Sequence, residues 1–141
     1  MSAPPTPPAH ASALSPAQAR ALLALRISLG LLMLVWGADK LVNPAHGMRV
    51  AERVYFGLPS PRALMPVFGV AQCALGVLVM LGVRQRVTLT VLAAITGLTL
   101  AGVWRSIVDP WGWYLPGTNA LFFPSLIIFA GTLVLRAFRT S

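Results

Sequence analysis

The sequence predicts an all-α membrane protein, a four-transmembrane-helix bundle with a short interfacial helix between helices 1 and 2. Four apolar stretches, Ala21–Val42, Ala63–Val83, Val87–Trp104 and Thr118–Leu135, fill more than half of the 141 residues. A mean hydropathy of +0.77, with 57% hydrophobic and 10% charged residues, leaves too little polar surface to wrap a soluble globule of this size. Each stretch is long enough to cross a bilayer: about 20 residues at about 1.5 Å rise each span a hydrocarbon core of about 30 Å, and a helix pairs its own backbone groups, as lipid demands. The length allows one membrane domain, residues 15–141, with helices at about 16–42, 63–83, 87–104 and 118–136.

The first residues, MSAPPTPPAHASAL, are rich in proline and lack the apolar run of a signal peptide, so residues 1–14 read as a disordered tail. Ser15-Pro16-Ala17-Gln18 then starts helix 1: Ser15 caps the free N–H groups, Pro16 suits the first turn, and Gln18 completes a capping box. Helix 1 carries Arg26 near one end and Asp39-Lys40 near the other. The long stems of Arg26 and Lys40 can snorkel to the headgroups, whereas Asp39 reaches less far and wants water, a cation or a donor nearby. These charges either mark the helix ends or form a polar site facing the bundle. Arg105 and Arg62 come from the same side as Asp39, and one of them is expected to pair with it beneath a Trp-rich loop.

Asn43-Pro44 can cap and open the interfacial helix. In it Met48, Ala51, Val54, Tyr55 and Leu58 recur at helical spacing, opposite His46, Arg49, Glu52 and Arg53, and the helix is expected to end near Gly57. His46 has no second His or Cys beside it and reads as solvated. Helix 2 places Gly69, Gln72, Cys73, Gly76 and Met80 on one face, a stripe suited to close helix approach, with Gln72 able to hydrogen-bond across helices. The Gly82–Arg86 turn makes helices 2 and 3 an antiparallel hairpin, and Ala93, Gly97 and Ala101 form a second small-residue packing stripe. After Trp104-Arg105, the aromatic, turn-rich stretch from Asp109 to Gly117 fits a loop in the interfacial aromatic belt. Helix 4 comes next and closes at Arg136 and Arg139.

Eleven Lys and Arg against three acids give a net charge of +8. These charges are spread over helix ends and loops rather than concentrated in a run that would grip a phosphate backbone, so the partner they imply is the lipid bilayer and not nucleic acid. A single cysteine, Cys73, excludes an internal disulfide, a Cys-x-x-Cys pair and a thiolate-rich metal site. The sequence contains no helical haem-ligating histidine pair, no nucleotide fingerprint and no nucleophile beside a base, so no catalytic or metal residues are assigned. With four spans, both termini share one side with the Arg84–Arg86 turn, where six basic residues stand against five on the other side. That small bias, together with an N-terminal tail that reads as unprocessed, points to cytoplasmic termini in a bacterial cytoplasmic membrane.

Arg26-x-x-x-Gly30, Gly37-Ala38-Asp39-Lys40-Leu41, Phe56-Gly57-Leu58-Pro59, and the Gly69–Gly76 helix running into Leu81-Gly82-Val83-Arg84 together resemble the DoxX and DoxX-like membrane proteins. The likeness covers about Arg26–Arg86, and the last two helices share it only in hydropathy. It implies a four-helix bundle associated with membrane redox chemistry, since such proteins include small subunits of thiosulfate:quinone oxidoreductase and assembly factors. Family members commonly carry an acid where this chain has Gln72, so a carboxylate role there does not carry over.

Three functions are therefore weighed. The first is a non-catalytic accessory or assembly subunit of a larger membrane complex, one of electron transfer, which would partner other membrane subunits or copies of itself. The second is the small subunit of a quinone-linked oxidoreductase, with quinone bound near Arg26 or near Asp39, Lys40 and Arg105, flanked by Trp36 and Trp104. The third is a small-solute or proton permease, for which Gln72 as the one polar group deep in the bilayer makes a poor pathway. The candidate polar site comprises Arg26, Asp39, Lys40, Gln72 and Arg105.

Overall fold

The computed structural model describes residues 14–54 and 62–139. The expected tail, apart from Leu14, and the expected end of the interfacial helix near Gly57 lie outside the described residues. Among the described residues there is no strand. Helix α1 spans Pro16–Val42, α2 Pro44–Val54, α3 Met65–Leu81, α4 Gln85–Gly102, α5 Trp104–Val108 and α6 Pro124–Ala137. Single 3-10 turns, Arg62–Leu64 and Ala120–Phe122, lead into α3 and α6. Four segments, Pro16–Val42, Arg62–Leu81, Gln85–Gly102 and Ala120–Ala137, are long and apolar enough to cross a membrane. Leu31, Val35, Val67, Val70 and Ile127 are among the large apolar side chains exposed on these segments. Helices apolar on their outer faces as well as their inner ones belong in lipid.

The capping box at Ser15 forms as the residues dictate: the Gln18 amide N–H donates to Ser15 Oγ, and the Ser15 N–H to Gln18 Oε1. Helix α1 then packs antiparallel on α3 through two glycine crossings. A Cβ on Gly76 would lie 2.6 Å from Gly30 O, and one on Gly30 would lie 2.7 Å from Gly76 O. At the second crossing, a Cβ on Gly37 would be 2.7 Å from Gly69 O, and one on Gly69 would be 2.8 Å from Gly37 O. On each helix the two glycines are seven residues apart, about two turns, so both fall on one face and the backbones meet without side chains between them. The Cys73 thiol, beside this seam, donates to Leu34 O at 3.7 Å.

The second pair is α4 with α6. Ala93 is buried, and Gly97 receives the Phe129 ring, whose edge would stand 3.0 Å from a Cβ there. Ala101 is exposed, so the small-residue stripe meets a neighbour over only part of its length. Thr96 and Thr132 are fully buried, and each hydroxyl is satisfied by a carbonyl one turn earlier, Leu92 O and Ile128 O. Leu29, Met33, Leu75, Val79, Leu89, Leu92 and Leu135 form the core where the two pairs meet. The turn joining α3 to α4 is tight, with Gly82 at φ 71° closing α3 and Arg84 at φ 44° opening α4. Yet the intimate partner of α3 is α1, because its glycine face is turned there.

At the opposite end, α2 continues from α1 after Asn43, whose side chain accepts from the His46 N–H. Its buried small face, Gly47 and Ala51, lies over the bundle end, and Gly47 stands against the Lys40 stem and Met65. The sequence places a loop directly after Trp104-Arg105; the chain instead makes one more helical turn, α5, before Asp109-Pro110 stops it.

The aromatic loop is fixed by one carboxylate. Asp109 Oδ1 accepts from the Trp113 N–H at 3.0 Å, and Oδ2 from those of Tyr114 at 2.6 Å and Leu115 at 2.8 Å. The buried Ser106 hydroxyl accepts from the Asn119 N–H at 3.0 Å and ties the far end of the loop. These amides, Tyr114 foremost, hold the Asp109 carboxyl below the usual carboxylate range against the opposing effect of burial. A lowered folded value makes this contribution complete above the unfolded carboxylate pKa of about 3.9 and lost as pH falls through the folded value. The near-UV circular dichroism of the stacked Trp111–Trp113 pair, 5.4 Å between centroids, is therefore expected to persist from pH 7 to about 4 and collapse only below. Asp109→Leu should abolish it at every pH. Loss of the signal near pH 5 would show that another group governs the loop.

Candidate functional site

Lys40 and Gln72 form the polar centre of the α1–α3 pair. Lys40 Nζ donates to Gln72 Oε1 at 2.8 Å and to Trp36 O at 3.2 Å, while Gln72 Nε2 points at Met33 Sδ, 3.6 Å away. Gln72 is buried, and Lys40 is half-buried. The direction of the Lys40 chain departs from the sequence expectation of snorkelling. Every Cα–Cβ bond in a helix tilts toward the N-terminus, so a long side chain at the C-terminal end of a span points back into the bilayer, whereas one near the N-terminal end points out of it. Lys40 folds inward and finds the carbonyl one turn back; Arg26, at the other end of the same helix, reaches the Gly82 turn at the end of the bundle.

Asp39 does not pair with Arg62 or Arg105. Its Oδ2 lies 2.7 Å from His46 Nδ1, and no other ion pair forms among the described residues. A carboxylate has no proton to give, so Nδ1 is the donor. The reason is proximity: α2 begins immediately after α1 and brings His46 back over Asp39, seven residues away, so little chain entropy is lost in the closure. His46, read from the sequence as solvated, keeps 48% of its side chain exposed and is nevertheless the partner. Arg105 is exposed and lies over the neighbouring Trp104 ring, 5.8 Å from its centroid.

The five candidate polar residues are thus divided among four places. Lys40 with Gln72 lies inside the α1–α3 pair, Asp39 with His46 at the α1–α2 corner, and Arg105 on the surface of α5. Arg26 stands at the opposite end of the bundle beside the Gly82 turn, where a Cβ would meet its Nη1 at 2.8 Å. Trp36 packs against the core, and Trp104 is exposed on α5. Among the described residues no cluster of three His, Cys, Asp or Glu side chains could hold a metal ion. Chemically, the centre can fix two helices and cap a charge; it brings no acid and base together around an open volume. Sequence reasoning misses Gly30, Gly37 and His46 as partners. The signal for the glycines is present, since Gly30 and Gly37 repeat the seven-residue interval of Gly69 and Gly76.

A family model described as DoxX matches residues 21–105, more than half of the chain. No curated protein and no solved structure matches. The matched segment holds both glycine crossings and the Lys40–Gln72 bond, and it ends before the Asp109 loop.

Proposed function

We propose that this chain, an integral membrane protein that belongs to the DoxX family, is a non-catalytic accessory or assembly subunit of a larger membrane complex, one of electron transfer. Its setting in this reading is the bacterial cytoplasmic membrane, with both termini on the cytoplasmic side. The reading is carried by where the polar and aromatic groups are spent. Inside the bundle, Lys40, Gln72 and the Trp36 carbonyl satisfy one another, so the polar centre closes the fold. Outside it, Trp111, Trp113 and Tyr114 stand 71%, 74% and 86% exposed on a loop that Asp109 holds in one conformation. A loop backbone fixed before contact lowers the entropy lost on docking, and aromatic side chains are the usual anchors of protein interfaces. The electron-transfer assignment rests on the family resemblance.

The test is purification in mild detergent with identification of the subunits that accompany the chain. The expected result is a stoichiometric complex containing a redox subunit, diminished several-fold by Trp113→Ala with Tyr114→Ala while the thermal unfolding of the isolated protein stays unchanged. A loop that serves only as a belt anchor would leave the complex intact in the double variant. Recovery of the chain alone, or only with copies of itself, would overturn the reading.

A further inference from the structure

Between α1, α4 and α6, at the end of the bundle that carries the α3–α4 turn, lies an open groove of about 220 Å³. Leu22, Leu89 and Leu135 form part of its apolar wall, and Arg26, Gln85 and Arg139 supply its polar groups. Neither Arg26 nor Arg139 has a carboxylate partner among the described residues, so the guanidinium charge at the groove calls for an acceptor from elsewhere.

The charge balance says what that acceptor is. The chain has three acids, Asp39, Glu52 and Asp109, and the course of the helices puts all three at the opposite end. Arg20, Arg26, Arg84, Arg86, Arg136 and Arg139 share the groove end with none of them. The counter-charge therefore comes from outside these side chains, and the leucine wall requires an apolar body behind it. A free phosphate would leave that wall empty, and a neutral quinone would leave the guanidinium groups unneutralised. We propose that the groove binds an anionic phospholipid, its phosphate held between Arg26 and Arg139 with Gln85 as a further donor, and an acyl chain laid along Leu22, Leu89 and Leu135. Arginine's planar fork suits a phosphate, and basic pockets between membrane helices are the usual seats of anionic headgroups. The site lies in the leaflet on the side of the chain termini, away from the aromatic loop, so it is independent of the accessory role.

The experiment uses delipidated full-length protein in a neutral detergent, with thermal unfolding monitored as dioleoylphosphatidylglycerol, dioleoylphosphatidylcholine, inorganic phosphate or a short-chain ubiquinone is added. Phosphatidylglycerol is expected to stabilise saturably, and native mass spectrometry to show one lipid retained per chain. The other three additions should give no comparable shift. Arg26→Gln with Arg139→Gln should weaken the phosphatidylglycerol effect at least about tenfold, whereas Arg86→Gln, at the same end but outside the groove, should change it less than about twofold. Equal weakening by Arg86→Gln would reduce the effect to diffuse attraction and overturn the site. So would an equal response to phosphatidylcholine, saturation by phosphate alone, or a quinone that displaces the lipid. If the double variant fails to fold, Arg139→Gln alone, at an exposed residue, is compared with Arg86→Gln, and equal weakening by the two overturns the site.

Discussion

Gly76→Ala should lower the stability of the bundle by about 2 kcal/mol, and Gly76→Leu should prevent α1 and α3 from pairing. Away from a crossing, a helical glycine replaced by alanine gains about 1 kcal/mol in propensity, so the expected loss runs against the intrinsic preference of the chain. The cause is backbone on backbone. The added Cβ would sit 2.6 Å from Gly30 O and 3.1 Å from Leu34 N, and neither atom can turn away as a side chain would. Relief requires the helices to separate, which also opens the Gly37–Gly69 crossing and the Lys40–Gln72 bond. Gly131→Ala is the control: its Cβ would meet the end of Leu25 at 3.2 Å, a flexible neighbour that can yield, so this change should be neutral or stabilising. The comparison is made by unfolding in mixed micelles. Equal behaviour of Gly76→Ala and Gly131→Ala would mean that α1 and α3 do not approach as closely as described.

Much of the fold is legible because it is local. The Ser15–Gln18 box, the apolar length of each span and the glycine face of α3 are set by residues within a few turns of one another. Which helix meets that face is not local. Chain order suggests α4, joined to α3 by a short turn, but a short turn only makes two helices antiparallel; the mutual fit of Gly30, Gly37, Gly69 and Gly76 decides the partner. The extra turn α5 is obscured by the strong loop character of the Asp109–Gly117 stretch, since a turn-rich segment does not say how far the preceding helix runs. The site divides in the same way. Gln72 reads correctly as a cross-helix hydrogen-bonding residue. Its partner does not, because the sequence shows that Lys40 has a long stem but the helix direction decides where the stem points. For Asp39 the sequence offers arginines on the same side of the membrane and a histidine seven positions away. The short chain path wins, because neither partner is deeply buried and closure over seven residues costs less than ordering a distant arginine.

Gln72→Leu tests the inward course of Lys40, and we expect it to destabilise the protein by about 3 kcal/mol. The substitution fills the same volume with apolar atoms, so its cost falls on Lys40. The ammonium would lose the Gln72 oxygen at 2.8 Å and keep only the Trp36 carbonyl at 3.2 Å. Hydrogen bonds to charged groups contribute about 1.5–3 kcal/mol, and the half-buried ammonium left behind adds part of its desolvation. Lys40→Met combined with Gln72→Leu should recover most of the loss, because replacing both members of a buried polar pair by apolar residues of similar shape is close to neutral. The cycle isolates the coupling between the two side chains, which are in direct contact and therefore not additive. Gln72→Glu should be at least as stable as the parent, since it sets a carboxylate oxygen against the ammonium and turns the bond into an ion pair without moving either helix. If Lys40 instead swings out to the headgroups in a bilayer, Gln72→Leu will cost less than about 1 kcal/mol and the double variant will show no recovery. That result would leave the α1–α3 pair held by its glycine crossings alone.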